Sequence, residues 1–415
     1  MPKPLDKRLL LISHHNSYRI APYIKAANNL GLEVTIASEG QHSLVSEVAN
    51  GIHVNFDDPD STLDIISEEH SNRPFAGILG SDDQTVELAA HAALSLRLPH
   101  NPPRAAQCSF RKDLARAQLA LAGCPVPIHC LLDLTRPLDE QMAGLPWPCV
   151  LKPLNMSASR GVIRVDNETE FLTACDRLRP IIATASGGFE QQHLLIEDYI
   201  DGIEIAYEGF LHHGVLNTIT IFDKPDPLVG PYFEETIYVT PTSLDDVLQQ
   251  NIKSVIQQAC DAYGLTTGAI HAECRIDAGR QVWILEIASR TIGGDCARIL
   301  DNGQFGIEEL AISLAIDQPL EFGLPDQARA VMMIPIRKKG LLRRVEGLLE
   351  ANRVEHIDKV DIIIREGHDL IPLPEGNQYL GYIFASAETA ELATAAIREA
   401  YEQLEFITAP VFNIV

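Results

Sequence analysis

Several patterns are missing from this sequence. No apolar stretch reaches the length of a membrane span. The first apolar run, residues 9–12, is four residues long, far short of a signal-peptide core. The eight cysteines (Cys108, Cys124, Cys130, Cys149, Cys175, Cys260, Cys274 and Cys296) include no CxxC pair. Their scatter speaks against a zinc site or a disulfide framework and for free thiols in a reducing compartment. Basic charge is scarce, with 33 Lys and Arg against 57 Asp and Glu and a net charge of −24. Such a field repels nucleic-acid phosphates and anionic lipid heads, so neither nucleic acid nor a membrane is an expected partner. The expected setting is the cytoplasm. An anionic substrate has to be held by a local basic pocket or by metal ions. Two glycine motifs are absent as well: no GxGxxG follows the first strand, and GxxxxGK[ST] occurs nowhere.

What is present reads as a soluble multidomain protein. A chain of 415 residues is too long for one compact core, and 46% apolar with 22% charged residues is ordinary globular usage. RLLLISHH, IAPYIKAANNLG and LEVTIAS form a strand–helix–strand unit, and the alternation continues through FAGILGSDD and TVELAAHAALSLRLP. This predicts a doubly wound α/β domain over 1–103. Its strand ends carry Ser13, His14 and Asn16, then Ser81, Asp82 and Asp83, where ligands bind in such sheets. Ser and Asp at these positions are equally good helix caps. NPPR at 101–104 is a break. A second, α+β region follows over 104–324, with a lid-type lobe at about 125–200, and residues 325–415 read as a separate α+β cap.

Within VLKPLNMSASRGVIRV, residues 150–165, a lysine ends a strand and a loop of small residues follows. The plain reading is a hairpin with a solvated lysine. The alternative is a flap whose backbone N–H groups fold over a phosphate, with small side chains allowing close approach. In GAIHAECRIDAGRQVWILEIASR, a two-residue turn at Ala278-Gly279 would pair Glu273 with Ile284 and Glu286 with His271. Glu273, Glu286 and His271 then share one face, with the glutamates about 7–8 Å apart at Cα. Two carboxylates amid apolar neighbours call for a cation, and magnesium, which takes few protein ligands, suits them. A pair of exposed glutamates is the competing reading, and a three-residue turn would place them on opposite faces.

In order along the chain stand a helix lysine, a strand Lys-Pro with its flap, a strand–hinge–strand with Glu, and two glutamate-bearing strands followed by an arginine. This order resembles the ATP-grasp superfamily over residues 105–320. GPYFEETIYVTPT, EIASRTIGGD, GLLRRVEG and IPLPEGNQYLGYIFA resemble its L-amino acid ligase subgroup. The resemblance implies two α+β lobes holding ATP between them. It implies that Lys112 and Lys152 contact ATP, and that Ser157, Ser159, Arg160 and Gly161 belong to the flap. Glu197, Asp198, Tyr199 and Ile200 become the hinge that reads the adenine edge, and Glu204 the ribose carboxylate. Glu273 and Glu286 become ligands of magnesium, with manganese as the alternative ion. Arg290 then faces the transferred phosphate. One position departs from the pattern: Ala288 stands where many relatives carry a metal-ligating Asn.

The implied activity is an ADP-forming carboxylate–amine ligase working through an acyl phosphate, with Lys152, Glu286 and Arg290 as catalytic residues. Arg290, Gly293 and Gly294 would hold phosphate or a substrate carboxylate. Tyr18, Arg19, Tyr232, Phe233 and Glu235 are candidates for the substrate pocket. His271 is a candidate base for the amine, the alternative being a histidine paired with Glu286. The implied partners are a small carboxylate and a small amine, both unnamed by the sequence. Oligomeric state is open, a homodimer included. The competing functions are an ATP-grasp carboxylase activating bicarbonate and a non-catalytic nucleotide-binding protein.

Overall fold

The computed structural model describes residues 7–39, 50–185 and 187–411. The first sheet is parallel, in the order β3-β2-β1-β4, with β1 at Arg8–Ile12, β2 at Glu33–Ser38, β3 at Asn50–His53 and β4 at Phe75–Gly80. A strand buried on both faces needs a continuous apolar run, which is why β1 reads LLLI after Arg8, whose guanidinium pairs with Glu69 at 2.5 Å. Leu9 and Leu11 enter a core with helix Ile20–Asn29, and Leu10 and Ile12 enter the opposite core with Ile66 and Ala89. The first of these cores also takes a helix from the region read as the second domain, 104–324. Helix Ile307–Ala315 returns from the middle of the chain and supplies Ala311, Ile312 and Ala315. It lies so close to β4 that a Cβ on Gly77 would stand 2.6 Å from the Ala315 carbonyl oxygen. The 1–103 segment is therefore closed on one face by residues outside it.

The lid lobe is an antiparallel sheet, β5-β8-β6-β7, built from β5 (His129–Asp133), β6 (Cys149–Pro153), β7 (Ile163–Val165) and β8 (His193–Asp198). Helix Glu168–Ile182 covers it with Phe171, Ala174, Cys175, Leu178, Ile181 and Ile182.

The central sheet is antiparallel, in the order β13-β12-β9-β10-β11-β14-β18-β16. Its strands are β9 (Ile203–His212), β10 (Val215–Asp223), β11 (Ile237–Thr240), β12 (Gly268–Ile276), β13 (Val282–Ala288), β14 (Ala328–Ile334), β16 (Ile357–Ile362) and β18 (Gly381–Ala387). The expected C-terminal α+β section is present and is joined edge to edge with the rest. Three strands from beyond residue 325 continue the central sheet, joined through the β11–β14 ladder from Ile237↔Met332 to Thr240↔Arg329. A small sheet of β15 (Gly340–Glu346), β17 (Asp369–Leu370) and β19 (Glu405–Ala409) completes the C-terminal section, with helix Ala390–Glu402. All eight cysteines are free, and seven are buried. Among the described residues no helix is long and apolar enough to cross a membrane.

Candidate active site

Parallel strand ends of the first sheet, the inner face of the lid, one face of the central sheet and a C-terminal loop surround a cavity of about 1020 Å³. The hairpin of β12 and β13 lines its floor, and its register differs from the expected one. The loop runs over five residues, because Ile276 pairs with Val282. A turn of that length alone would have put the two glutamates on opposite faces. A β-bulge at Leu285 cancels the shift, since Cys274 pairs with Ile284 but Glu273 pairs with Glu286. Leu285 and Glu286 then both line the cavity, while Ile284 and Ile287 stay in the core behind. The carboxylates are thus directly opposed rather than diagonal. His271 sits opposite Ala288, not Glu286. Its imidazole pairs with buried Glu208 at 2.5 Å and stands 3.8 Å from Glu273. Burial would lower its pKa, but Glu208 outweighs that and raises it to about 9, so it is a cation rather than a free base at neutral pH.

Two lysines lean on this floor from the lid side. Lys112, first residue of helix Lys112–Leu121, lies 3.2 Å from Glu286 and donates to the Met156 carbonyl at 3.0 Å. Lys152, at the end of β6, pairs with Glu197 at 2.6 Å. The other oxygen of Glu197 takes Arg116 at 2.5 Å, and Arg116 also donates to the bulged Leu285 carbonyl at 2.5 Å. Burial alone would raise the Glu197 carboxyl, but Arg116 and Lys152 hold it down at about 2. The Glu197 side chain is therefore an internal counter-ion that fixes Lys152 and the bulge. The hinge N–H groups of Asp198 and Tyr199 are already given to the carbonyls of Ile128 and Pro148. Those two N–H groups are thereby committed within the protein. Within the same stretch, Asp198 Oδ1 is a buried acceptor without a partner, on the cavity wall. A ligand amino group would satisfy it.

The sequence reading missed Lys224. It lies just past β10 in a Pro-rich turn, where a lysine signals only solvent. Its side chain is buried between Glu204 (2.9 Å), Glu273 (3.1 Å) and Glu235. Burial would lower its pKa, and the three carboxylates raise it far above the ordinary value. Glu204 also takes Arg275 at 2.9 Å, so both its oxygens carry a cation. Burial and the Glu273 charge push Glu235 up to about 7.

The flap divides in two. Ala158 and Ser159 adopt φ of +55° and +54°, and with Ser157 they line the cavity. Arg160 and Gly161 do not. The Gly161 N–H donates to the Pro374 carbonyl at 2.9 Å and Arg160 to the Glu375 carbonyl at 3.0 Å, which moors the flap to the C-terminal section. Tyr232 likewise leaves the expected pocket, packing on the lid core and bonding Arg177, while Tyr18, Arg19, Phe233 and Glu235 line it. Arg290 lines the cavity with its fork filled: Asp83, first residue of helix Asp83–Leu96, takes Nε at 2.6 Å and an Nη at 2.8 Å. Ser157 of the flap donates to the same carboxylate at 2.8 Å. Asp83 thus joins three parts of the molecule. Gly293 and Gly294 line the cavity beside Arg19, and the Gly294 N–H donates to the Tyr18 hydroxyl at 2.9 Å. Ser289 turns away to Ser109 at 2.7 Å, so nothing replaces the side chain missing at Ala288 from that neighbour.

The chain matches three family models: the ATP-grasp N-terminal domain over residues 24–100, the ATP-grasp domain over 145–299, and the L-amino acid ligase C-terminal domain 2 over 332–409. An alanine–anticapsin ligase of Bacillus subtilis is 29% identical over 205 residues, which is 46% of this chain and 43% of that protein. The chain thus spans less than half the length of that relative. The crystal structure of an L-amino acid ligase from Bacillus licheniformis aligns with a TM-score of 0.80 at 24% identity, covering 97% of this chain and 98% of the other. An N5-carboxyaminoimidazole synthetase from Staphylococcus aureus, complexed with ADP, aligns with a TM-score of 0.69 at 13% identity over 95% and 97% of the two chains. Both structural likenesses concern the fold.

Proposed function

Because the chain belongs to the ATP-grasp superfamily, we propose that it is an ATP-dependent ligase joining an amino acid carboxylate to an amine, with ADP and phosphate as co-products. The observation that carries this reading is the opposed pair Glu273 and Glu286 with Lys112, Lys152 and Arg290 around one cavity. The match of residues 332–409 to an L-amino acid ligase domain favours an amine over bicarbonate. The donor set also fits a hard divalent ion, since the opposed groups are carboxylates and no cysteine lines the cavity. Glu273 and Glu286 would hold magnesium. Once bound, the ion would neutralise charge on the transferring phosphate.

The chain's own residues do the positioning. Lys152 is held by Glu197 in one orientation, so its charge is fixed before ATP arrives. Lys112 bridges the floor and the flap root, and the Ser157–Ser159 backbone offers a concavity for phosphate oxygens. A substrate carboxylate oxygen attacks the γ-phosphorus, and the bond to the ADP oxygen breaks. The amine nitrogen then attacks the acyl carbon, phosphate leaves with the electron pair, and the nitrogen loses a proton. Arg290, oriented by Asp83, would set a permanent charge beside the acyl phosphate. The eight free cysteines suit a cytoplasmic enzyme. Phosphate release measured with amino acid pairs, with bicarbonate alone and with neither tests the reading. Release that needs both a carboxylate and an amine is expected. Release driven by bicarbonate alone would indicate the carboxylase, and none under any condition a non-catalytic binder.

A further inference from the structure

A second cluster of ligating side chains lies at the opposite end of β9 from the cavity. His212 is eight residues from Glu204 along that strand, roughly 26 Å of extended chain. It ends β9 and pairs with Val215 of β10, so His213-Gly214 is a two-residue hairpin turn with φ of +50° and +79°. The turn is held in place. Its Gly214 N–H donates to the Thr266 carbonyl at 2.8 Å, and Gln257 donates to the Gly214 carbonyl at 3.0 Å. Facing it, Asp317 follows helix Ile307–Ala315 at φ +53°, its N–H returned to the Leu314 carbonyl at 3.1 Å. Two backbones fixed independently thus aim three side chains at one point.

The distances there have a particular value. Nε2 of His212 lies 3.3 Å, and Nε2 of His213 3.6 Å, from the same Asp317 oxygen. The donor atoms all lie within 4.8 Å of one another, and the two rings are 4.0 Å apart. An ordinary N–H···O bond is shorter, at about 2.9–3.0 Å. A tetrahedral ion with bonds of about 2.0–2.1 Å separates its ligands by about 3.3–3.4 Å. His212 and Asp317 make a long hydrogen bond at 3.3 Å, and that separation is also the one that two ligands take around a tetrahedral ion. Two imidazoles with one carboxylate are borderline donors that select zinc-type ions over magnesium.

We propose that His212, His213 and Asp317 form a site for a zinc-type transition-metal ion, with water in the fourth position. The ion ties the β9–β10 turn of the central sheet to the end of the helix that closes the N-terminal sheet.

The test is a calorimetric titration of zinc into the full chain, with excess magnesium present to occupy the carboxylate pair. Wild type is compared with His213→Asn and Asp317→Asn. Asparagine accepts positive φ, and both side chains face solvent, so the metal-free variants should melt like wild type. If either melts lower without metal, His212→Gln takes its place. Wild type should bind one more zinc than each variant, or bind it at least tenfold more tightly. Zinc should also raise its melting midpoint more. Equal zinc stoichiometry, affinity and midpoint shift in all the proteins would overturn the site.

Discussion

Glu286→Gln should lower turnover about 10³-fold, roughly 4 kcal/mol of transition-state stabilisation. The substitution keeps the size and removes the charge from one of the two opposed carboxylates, which sit on the cavity floor at a single register position. Glutamine cannot offer an anionic ligand to a hard divalent ion, and it frees Lys112, now 3.2 Å away, to swing toward other acceptors. The measurement is kcat and the KM for ATP at saturating magnesium. If Glu286 only anchored Lys112, the KM for ATP would rise while kcat stayed near wild type. A variant with near-normal kcat would remove Glu286 from the metal set.

The second large effect falls on stability. Glu197→Gln leaves Arg116 and Lys152 as two buried cations without their shared counter-ion. Removing one partner of a buried pair costs about 3–5 kcal/mol, far more than losing a surface bridge. A drop in the melting midpoint of roughly 10 °C is expected at neutral pH. The sign of the pH dependence follows from the carboxyl being held at about 2 when folded and about 4.3 when unfolded. Its contribution is present above the unfolded value and is lost as pH falls through the folded one. The gap between wild type and variant should therefore narrow between about pH 5 and pH 2. Melting curves across that window check it. A gap that stayed constant would show that shape, not charge, carries the effect.

Local pattern made much of this molecule readable, and the misses have a common physical origin. RLLLISHH and FAGILGSDD were legible because burial on both faces forces an unbroken apolar run. Lys152, Ser157 and Ser159 were picked out by their order among the other motifs, and they line one cavity. Both glutamates were found on one face, but for the wrong reason. The loop was three residues longer than assumed, five instead of two, and a bulge at Leu285 restored the face. A bulge has no sequence signature there. Its stabilising contact is the Leu285 carbonyl on Arg116, 169 residues away. Lys224 was missed because three carboxylates that gather around it come from β9, β12 and the segment before β11. Arg160, Gly161 and Tyr232 were misplaced because their partners, Pro374, Glu375 and Arg177, lie far along the chain or across the lid. That the C-terminal section extends the central sheet was likewise not legible, since β14 reads the same whether it starts a new sheet or extends an old one.

Isotope transfer tests the central claim most directly. The substrate amino acid is labelled with ¹⁸O in its carboxylate and turned over with ATP, magnesium and an amine. An acyl phosphate requires that the attacking carboxylate oxygen leave with the phosphorus. The account predicts one ¹⁸O in the inorganic phosphate for each amide formed, with unlabelled ADP. Label appearing in AMP, with pyrophosphate as co-product, would contradict it and point to adenylate chemistry.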